Sequence, residues 1–159
     1  MTFERVLFKE YEEAHADVIK TFLKVDQSDA IAMKNIIETS CGGQLDLVID
    51  DASHMYHHSK NTFEASFPYL RPGGVYVLED WAWSFAKDAQ QPDHYWAAEP
   101  SLVNLLFEFI LASSTPNMIT DIKIGGGLVW FTKGNAEVPK SGFSLDAHLP
   151  LRGRKISLI

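Results

Sequence analysis

The apolar positions along the chain change their period repeatedly, and each change marks an element. Residues 8–16 are charged and weakly helical, whereas 18–25, "VIKTFLKV", mix β-branched and aromatic residues and read as a strand. "DQSD" at 26–29 is a turn that supplies an N-cap for a helix over about 30–40, with Ile31, Ile36 and Ile37 on its inner side. Gly42-Gly43 stops that helix. "LDLVID", 45–50, is a near-continuous apolar strand of the kind covered on both faces. Residues 57–70 place Phe63, Phe67 and Leu70 at helical spacing, and "RPGG" breaks the helix before a second strand, "VYVLED". A loop over 81–98 carries Trp81, Trp83, Tyr95 and Trp96. Residues 100–114 form a helix apolar on almost every side, to be buried against the sheet or a partner. "ITDIKIGGGLVWFTKG" reads as a hairpin turning at Gly125–Gly127, and 135–159 as an irregular tail or arm. This alternation predicts an α/β sheet with helices on its faces, parallel except for an antiparallel edge from the hairpin.

Composition narrows the function classes. The chain has 159 residues, enough for one domain with a core. Fourteen basic against 21 acidic residues give a net charge of -7, which argues against a nucleic-acid or anionic-membrane partner. The lone Cys41 permits no intrachain disulfide and reads as a buried, inert thiol in a reducing, cytoplasmic setting. No apolar run reaches membrane-spanning length, and the acidic N-terminus does not read as a signal peptide.

Candidate chemistry gathers at two strand ends. The first strand closes on Asp50-Asp51 with His54 three residues on, and the second closes on Glu79-Asp80. One helix joins the strands, so they read as parallel neighbours about 4.8 Å apart, with Asp51 and Glu79-Asp80 facing one small volume. Ligands of open α/β sheets bind beyond these carboxyl ends. Clustered carboxylates repel, and a hard divalent cation such as Mg²⁺ compensates them. His54 is placed to take a proton from a hydroxyl held there. The plainer alternative is that such acids cap helices or satisfy loop amides and that His54 is an ordinary loop histidine.

The combination "DLVIDDASH" and "FPYLRPGGVYVLEDW" resembles the second half of class I S-adenosylmethionine-dependent methyltransferases. Within these it is similar to the macrocin and mycinamicin sugar O-methyltransferases and the cephalosporin-hydroxylase-like group. That group carries Asp-Asp-Gly-Ser-His after its fourth strand and Glu-Asp after its fifth; here Ala52 replaces the glycine. "KVDQSD" is similar to the family's turn after strand three, with Val25 for glycine. The resemblance covers about residues 9–133. It implies a shortened Rossmann-like methyltransferase fold, with residues 1–134 as a partial domain. It also implies S-adenosylmethionine and Mg²⁺ as cofactors, and a hydroxylated sugar or natural product as acceptor. By position, Asp51, Glu79 and Asp80 hold the metal and His54 is the general base. Asp26 and Gln27 lie near the adenine, and Asp50 lies at the edge of the cofactor pocket.

The chain departs from that family at its start. It has neither the Gly-rich turn after strand one nor the acid after strand two, so about the first third of the usual domain has no counterpart. The edge of "LDLVID" is then unpaired, and a homo-oligomer, a missing partner segment, a rebuilt N-terminus or a gene fragment is expected. Two further readings stay open. One is a non-catalytic remnant of the fold, serving as a structural or interaction module. The other is an iron-dependent hydroxylase using two of His54, His57 and His58 with a carboxylate. The aromatics of 81–98 read either as a lid or substrate wall, or as a loop packed on the core.

Overall fold

The computed structural model describes the backbone of residues 3–159 and the side chains from Lys9 onward. Four helices and four strands follow in the order α1 (Phe3–Ala14), α2 (Ala30–Ser40), β1 (Leu45–Asp50), α3 (Tyr56–Ser66), β2 (Leu70–Glu79), α4 (Val103–Ala112), β3 (Ile119–Ile124) and β4 (Leu128–Lys133). Short 3-10 turns punctuate the loops.

The strands form one sheet in the order β1-β2-β4-β3. β1 and β2 run parallel, with Ile49 opposite Val77 and Asp50 opposite Leu78. β2 and β4 are antiparallel, as are β4 and β3, so the hairpin is in place and its turn closes through the Gly125 N–H donating to the Leu128 carbonyl at 2.7 Å. The parallel part of the sheet is the single pair β1–β2, because residues 18–25 do not join it.

That segment is the main correction to the sequence reading. Residues 18–25 are turns, not a strand. The Val18 and Ile19 N–H groups both donate to the His15 carbonyl, and Lys24 has φ 62°. A strand needs a neighbour for its ladder, and no described strand lies beside these residues; Val18 and Leu23 are 73% and 81% exposed. In α2, Asp29 caps as expected, its carboxylate accepting from the Ala32 N–H at 2.9 Å. Ile37 is buried, but Ile31 is exposed, because six residues of helix turn it about a third of a turn away from the packed side. Gly42 and Gly43, both with positive φ, end the helix, and Gly43 N–H donates back to Ile37. Cys41, expected to be buried, caps this end and is exposed.

The core lies on one face of the sheet. Tyr76 and Leu78 of β2, and Val129 and Phe131 of β4, point toward α3 and α4 and are almost wholly buried. Phe63 of α3 is the hub, with ring centroids 4.8 Å from Phe67 and Phe109 and 5.4 Å from Tyr76. α4 buries Leu105, Leu106 and Phe109 against this layer, while Phe107 and Ile110 remain exposed. Lys133, buried at the end of β4, donates to the Phe67 and Leu70 carbonyls at 3.1 and 2.7 Å and ties the end of α3 to the sheet. The opposite face is open among the described residues: Leu47, Ile49 and Leu128 are exposed there, where cover on both faces was expected. Residues 135–159 are irregular apart from a 3-10 turn at Leu145–His148. They are not a free arm, since Phe143 and Leu145 enter the core and the Ile159 carbonyl accepts from Ser101 and Asn104.

Because Phe63 is fully buried at the centre of this aromatic cluster, Phe63→Ala is expected to destabilise the chain by about 3–5 kcal/mol. Urea denaturation measures this. A loss below about 1 kcal/mol contradicts the packing described.

Candidate active site at the strand ends

The parallel pairing of β1 and β2 brings their carboxyl ends together. Asp51, His54 and Asp80 each offer a ligand atom within 4.8 Å of the others. His54 Nε2 lies 3.9 Å from Asp51 Oδ1 and 3.7 Å from Asp80 Oδ2. The two carboxylate side chains are well exposed, at 58% and 64%, and the His54 side chain is at 21%. In such water-like surroundings the repulsion between the acids is about 1 kcal/mol, small enough for the two to stand side by side. Two of the residues sit in strained backbone: His54 has φ 56° and Asp80 φ 51°. Left-handed non-glycine residues cost on the order of 1–3 kcal/mol each and persist where surrounding contacts hold them.

Those contacts come from the 81–98 loop and the hairpin. Trp83 Nε1 donates to the His54 carbonyl at 2.8 Å, and the Trp83 N–H donates to the Asp80 carbonyl at 3.2 Å. Trp81 Nε1 donates to the Gly125 carbonyl at 3.2 Å and anchors the loop to the hairpin turn. The roles of Trp81 and Trp83 escaped the sequence reading, which placed both in an aromatic loop. Nothing in the sequence distinguishes a tryptophan that donates to a site backbone from one that only packs.

Glu79, grouped in the sequence with the metal ligands, ends β2 opposite Leu128 and is half-buried, outside the three-residue cluster. The second carboxylate of the cluster is Asp80. Of the histidines, His58 Nδ1 is 3.1 Å from Ser53 Oγ and His57 lies edge-on to Tyr56. Neither joins the cluster, so the described residues do not assemble the two-histidine, one-carboxylate set that iron would use.

Asp50 turns inward and is 3% exposed. Gln27 Nε2 donates to its Oδ1 at 2.8 Å and the Tyr76 hydroxyl donates to its Oδ2 at 3.2 Å. Burial pushes the Asp50 carboxyl above the usual range, and the hydrogen bonds it accepts oppose that shift. Gln27 Oε1 in turn accepts from the Ser53 N–H at 3.2 Å, and its own carbonyl accepts from Asn61 Nδ2 at 2.7 Å. Gln27 and Asp50 thus brace the turn after α1 against the loop carrying His54. Asp26 is exposed and forms a local turn, its Oδ1 accepting from the Ser28 hydroxyl and N–H, which holds its carboxyl below the usual range. An open groove of about 720 Å³ lies elsewhere, between α2 and the Tyr69–Lys140 corner, and includes none of these residues.

The donor set fits Mg²⁺. Two exposed carboxylates converge from adjacent strand ends and leave open positions for water and a ligand, as a hard ion requires. Of the residues that the resemblance assigned to the cofactor, Asp50 and Gln27 are engaged with each other, and Asp26 is exposed.

Two acids and a histidine gathered at the carboxyl ends of adjacent parallel strands fit a Rossmann-like α/β protein with a metal-type cluster. Residues 4–81 match the family model described as a methyltransferase domain. The mycinamicin VI 2''-O-methyltransferase of Micromonospora griseorubida is 40% identical over 70 residues, which are 43% of this chain and 17% of that protein. The demethylmacrocin O-methyltransferase of Streptomyces fradiae is 55% identical over 38 residues, 24% of this chain and 10% of that protein. Among solved structures, the MycE methyltransferase of the mycinamycin pathway, in complex with Mg, SAH and mycinamycin VI, superposes with a TM-score of 0.53 at 29% identity. That match covers 74% of this chain and 33% of the solved chain. The chain therefore resembles the mycinamicin and macrocin type of methyltransferase and has part of its fold, while spanning about a third or less of the length of these relatives.

The Asp50 environment makes a pH prediction. A carboxyl whose folded pKa is raised favours folding below its unfolded value, and that contribution is lost as pH rises through the folded pKa. Asp50→Asn keeps the size and removes the charge. The melting temperature of wild type minus that of Asp50→Asn should therefore fall as pH is raised from about 4 to 7. A difference that rises over this range contradicts the assignment.

Proposed function

We propose that the chain carries the metal- and acceptor-binding part of an S-adenosylmethionine-dependent O-methyltransferase acting on a hydroxyl of a sugar or related natural product. The convergence of Asp51, His54 and Asp80 at the ends of β1 and β2 is the observation that carries this reading. The relatives named as O-methyltransferases of mycinamicin VI and of a rhamnosyl tetracenomycin, and the MycE structure solved with Mg and SAH, support it.

When bound, Mg²⁺ lowers the pKa of an acceptor hydroxyl and S-adenosylmethionine supplies the methyl group. Asp51 and Asp80 hold the ion, with Glu79 at the adjacent strand end as the third acid. His54 Nε2, facing both carboxylates, takes the proton released from the acceptor hydroxyl. Asp50, Gln27 and Asn61 keep the His54 loop at a fixed height above the sheet. Asp26 lies on the side assigned to the adenosine moiety. Orientation of the reactants supplies most of the gain, so these braces matter as much as the proton acceptor. We place the protein in the cytoplasm as a homo-oligomer. No described helix is long and apolar enough to cross a membrane, and the open sheet face and unpaired β1 edge favour self-association.

A second reading, a non-catalytic module retaining the fold, is favoured by one observation: Gln27 and Asp50 are bonded to each other rather than open to a ligand. Calorimetric titration of S-adenosylmethionine with and without Mg²⁺ separates the two. The enzyme reading predicts micromolar cofactor binding, and Mg²⁺ binding abolished in the Asp51→Asn, Asp80→Asn double variant. Intact Mg²⁺ binding with no cofactor binding by the folded chain selects the module.

A further inference from the structure

We propose that Trp83 is a positioning residue that locks His54 and Asp80 into their facing arrangement. This inference rests on the metal-site reading above only for its metal readout.

Trp83 is bonded to both halves of the site at once. Its indole N–H donates to the His54 carbonyl at 2.8 Å, and its backbone N–H donates to the Asp80 carbonyl at 3.2 Å. The two residues it holds are the two members of the site with left-handed backbone, φ 56° and 51°. Neither is glycine, so each would relax toward an ordinary conformation without an outside restraint. Relaxation at either residue re-aims its side chain, and the 3.7 Å approach of His54 Nε2 to Asp80 Oδ2 depends on both.

The restraint is itself braced. The Trp83 ring packs edge-on against Trp96 at 4.9 Å and stacks with His94 at 6.4 Å, and it also touches the edge of the hydrophobic core. The bridge therefore spans two chain segments 29 residues apart through one half-buried side chain. Partners of this kind, which orient ligating side chains without touching the ion, are typically worth about 10–100-fold in metal affinity.

The test compares Trp83→Phe with Trp96→Phe. The first keeps an aromatic ring and removes the indole donor; the second disturbs the same packing and leaves the His54 bond in place. The readouts are the imidazole resonances of His54 in the metal-free chain and the affinity for Mn²⁺ as a probe of the acidic cluster, with far-UV circular dichroism as the folding control. Trp83→Phe is expected to shift the His54 resonances and to weaken Mn²⁺ binding about tenfold, while Trp96→Phe leaves both near wild type. Either readout unchanged in Trp83→Phe, or equal effects from Trp96→Phe, overturns the proposal. If the wild-type chain binds no Mn²⁺, the metal-site reading falls, and the His54 resonances alone decide the role of Trp83.

Discussion

Hydrogen bonding of β1 to β2 in parallel register forces two acidic strand ends side by side, and the arrangement of the site follows from that constraint. With Ile49 opposite Val77 and Asp50 opposite Leu78, the residues just beyond cannot avoid one another. The odd and even positions then divide the work. Asp50 points to the covered face and becomes a structural acid beneath Tyr76, while Asp51 leaves the strand toward solvent. At the end of β2 the corresponding break falls between Glu79 and Asp80, where the backbone turns left-handed and delivers Asp80 toward His54. Two carboxylates and an imidazole thus meet without any one of them being buried, an arrangement that suits an exchangeable ion better than a permanent structural one.

Most of this was legible in the sequence because the elements concerned are local. The apolar run of β1 and the Gly-rich hairpin turn each satisfy their own pattern, and the structure follows them; α3 stops at Ser66, and Leu70 with the 71–74 stretch, read as helix end and breaker, begins β2 instead. The acidic ends were legible too, since a charge at the end of an apolar run is visible in any window. The failures have a common physical cause. Residues 18–25 carry strand-forming residues but no strand to pair with, so propensity alone could not make them a strand. Ile31 has the composition of a buried residue, yet α2 packs only on one side. Glu79 and Asp80 are adjacent letters, and which of them reaches the cluster depends on a positive φ that the sequence does not display. The indole bond from Trp83 to His54 depends on how a loop folds over a distant turn.

The sheet is covered on one face by α3 and α4 and is open on the other, where Leu47, Ile49 and Leu128 are exposed. The aromatic hub around Phe63 is nevertheless complete within the described residues, and the tail at 143–145 closes it. The metal-type cluster stands at the rim of this covered layer. Its braces, Gln27, Asn61, Trp81 and Trp83, come from turns and loops anchored to the same layer. Of the residues proposed for the cofactor, by contrast, Asp26 is exposed and Gln27 and Asp50 are already bonded to each other. The two halves of the proposed site therefore differ in how fully this chain builds them.

The proposed centre is one ion held by Asp51 and Asp80 beside His54. Paramagnetic broadening by Mn²⁺ in the two-dimensional amide spectrum of the chain tests it most directly. Signals should be lost at low Mn²⁺, first around residues 51–54 and 79–83, and recover on adding excess Mg²⁺. Broadening centred on other acidic residues, or spread evenly over the acidic surface, would contradict it.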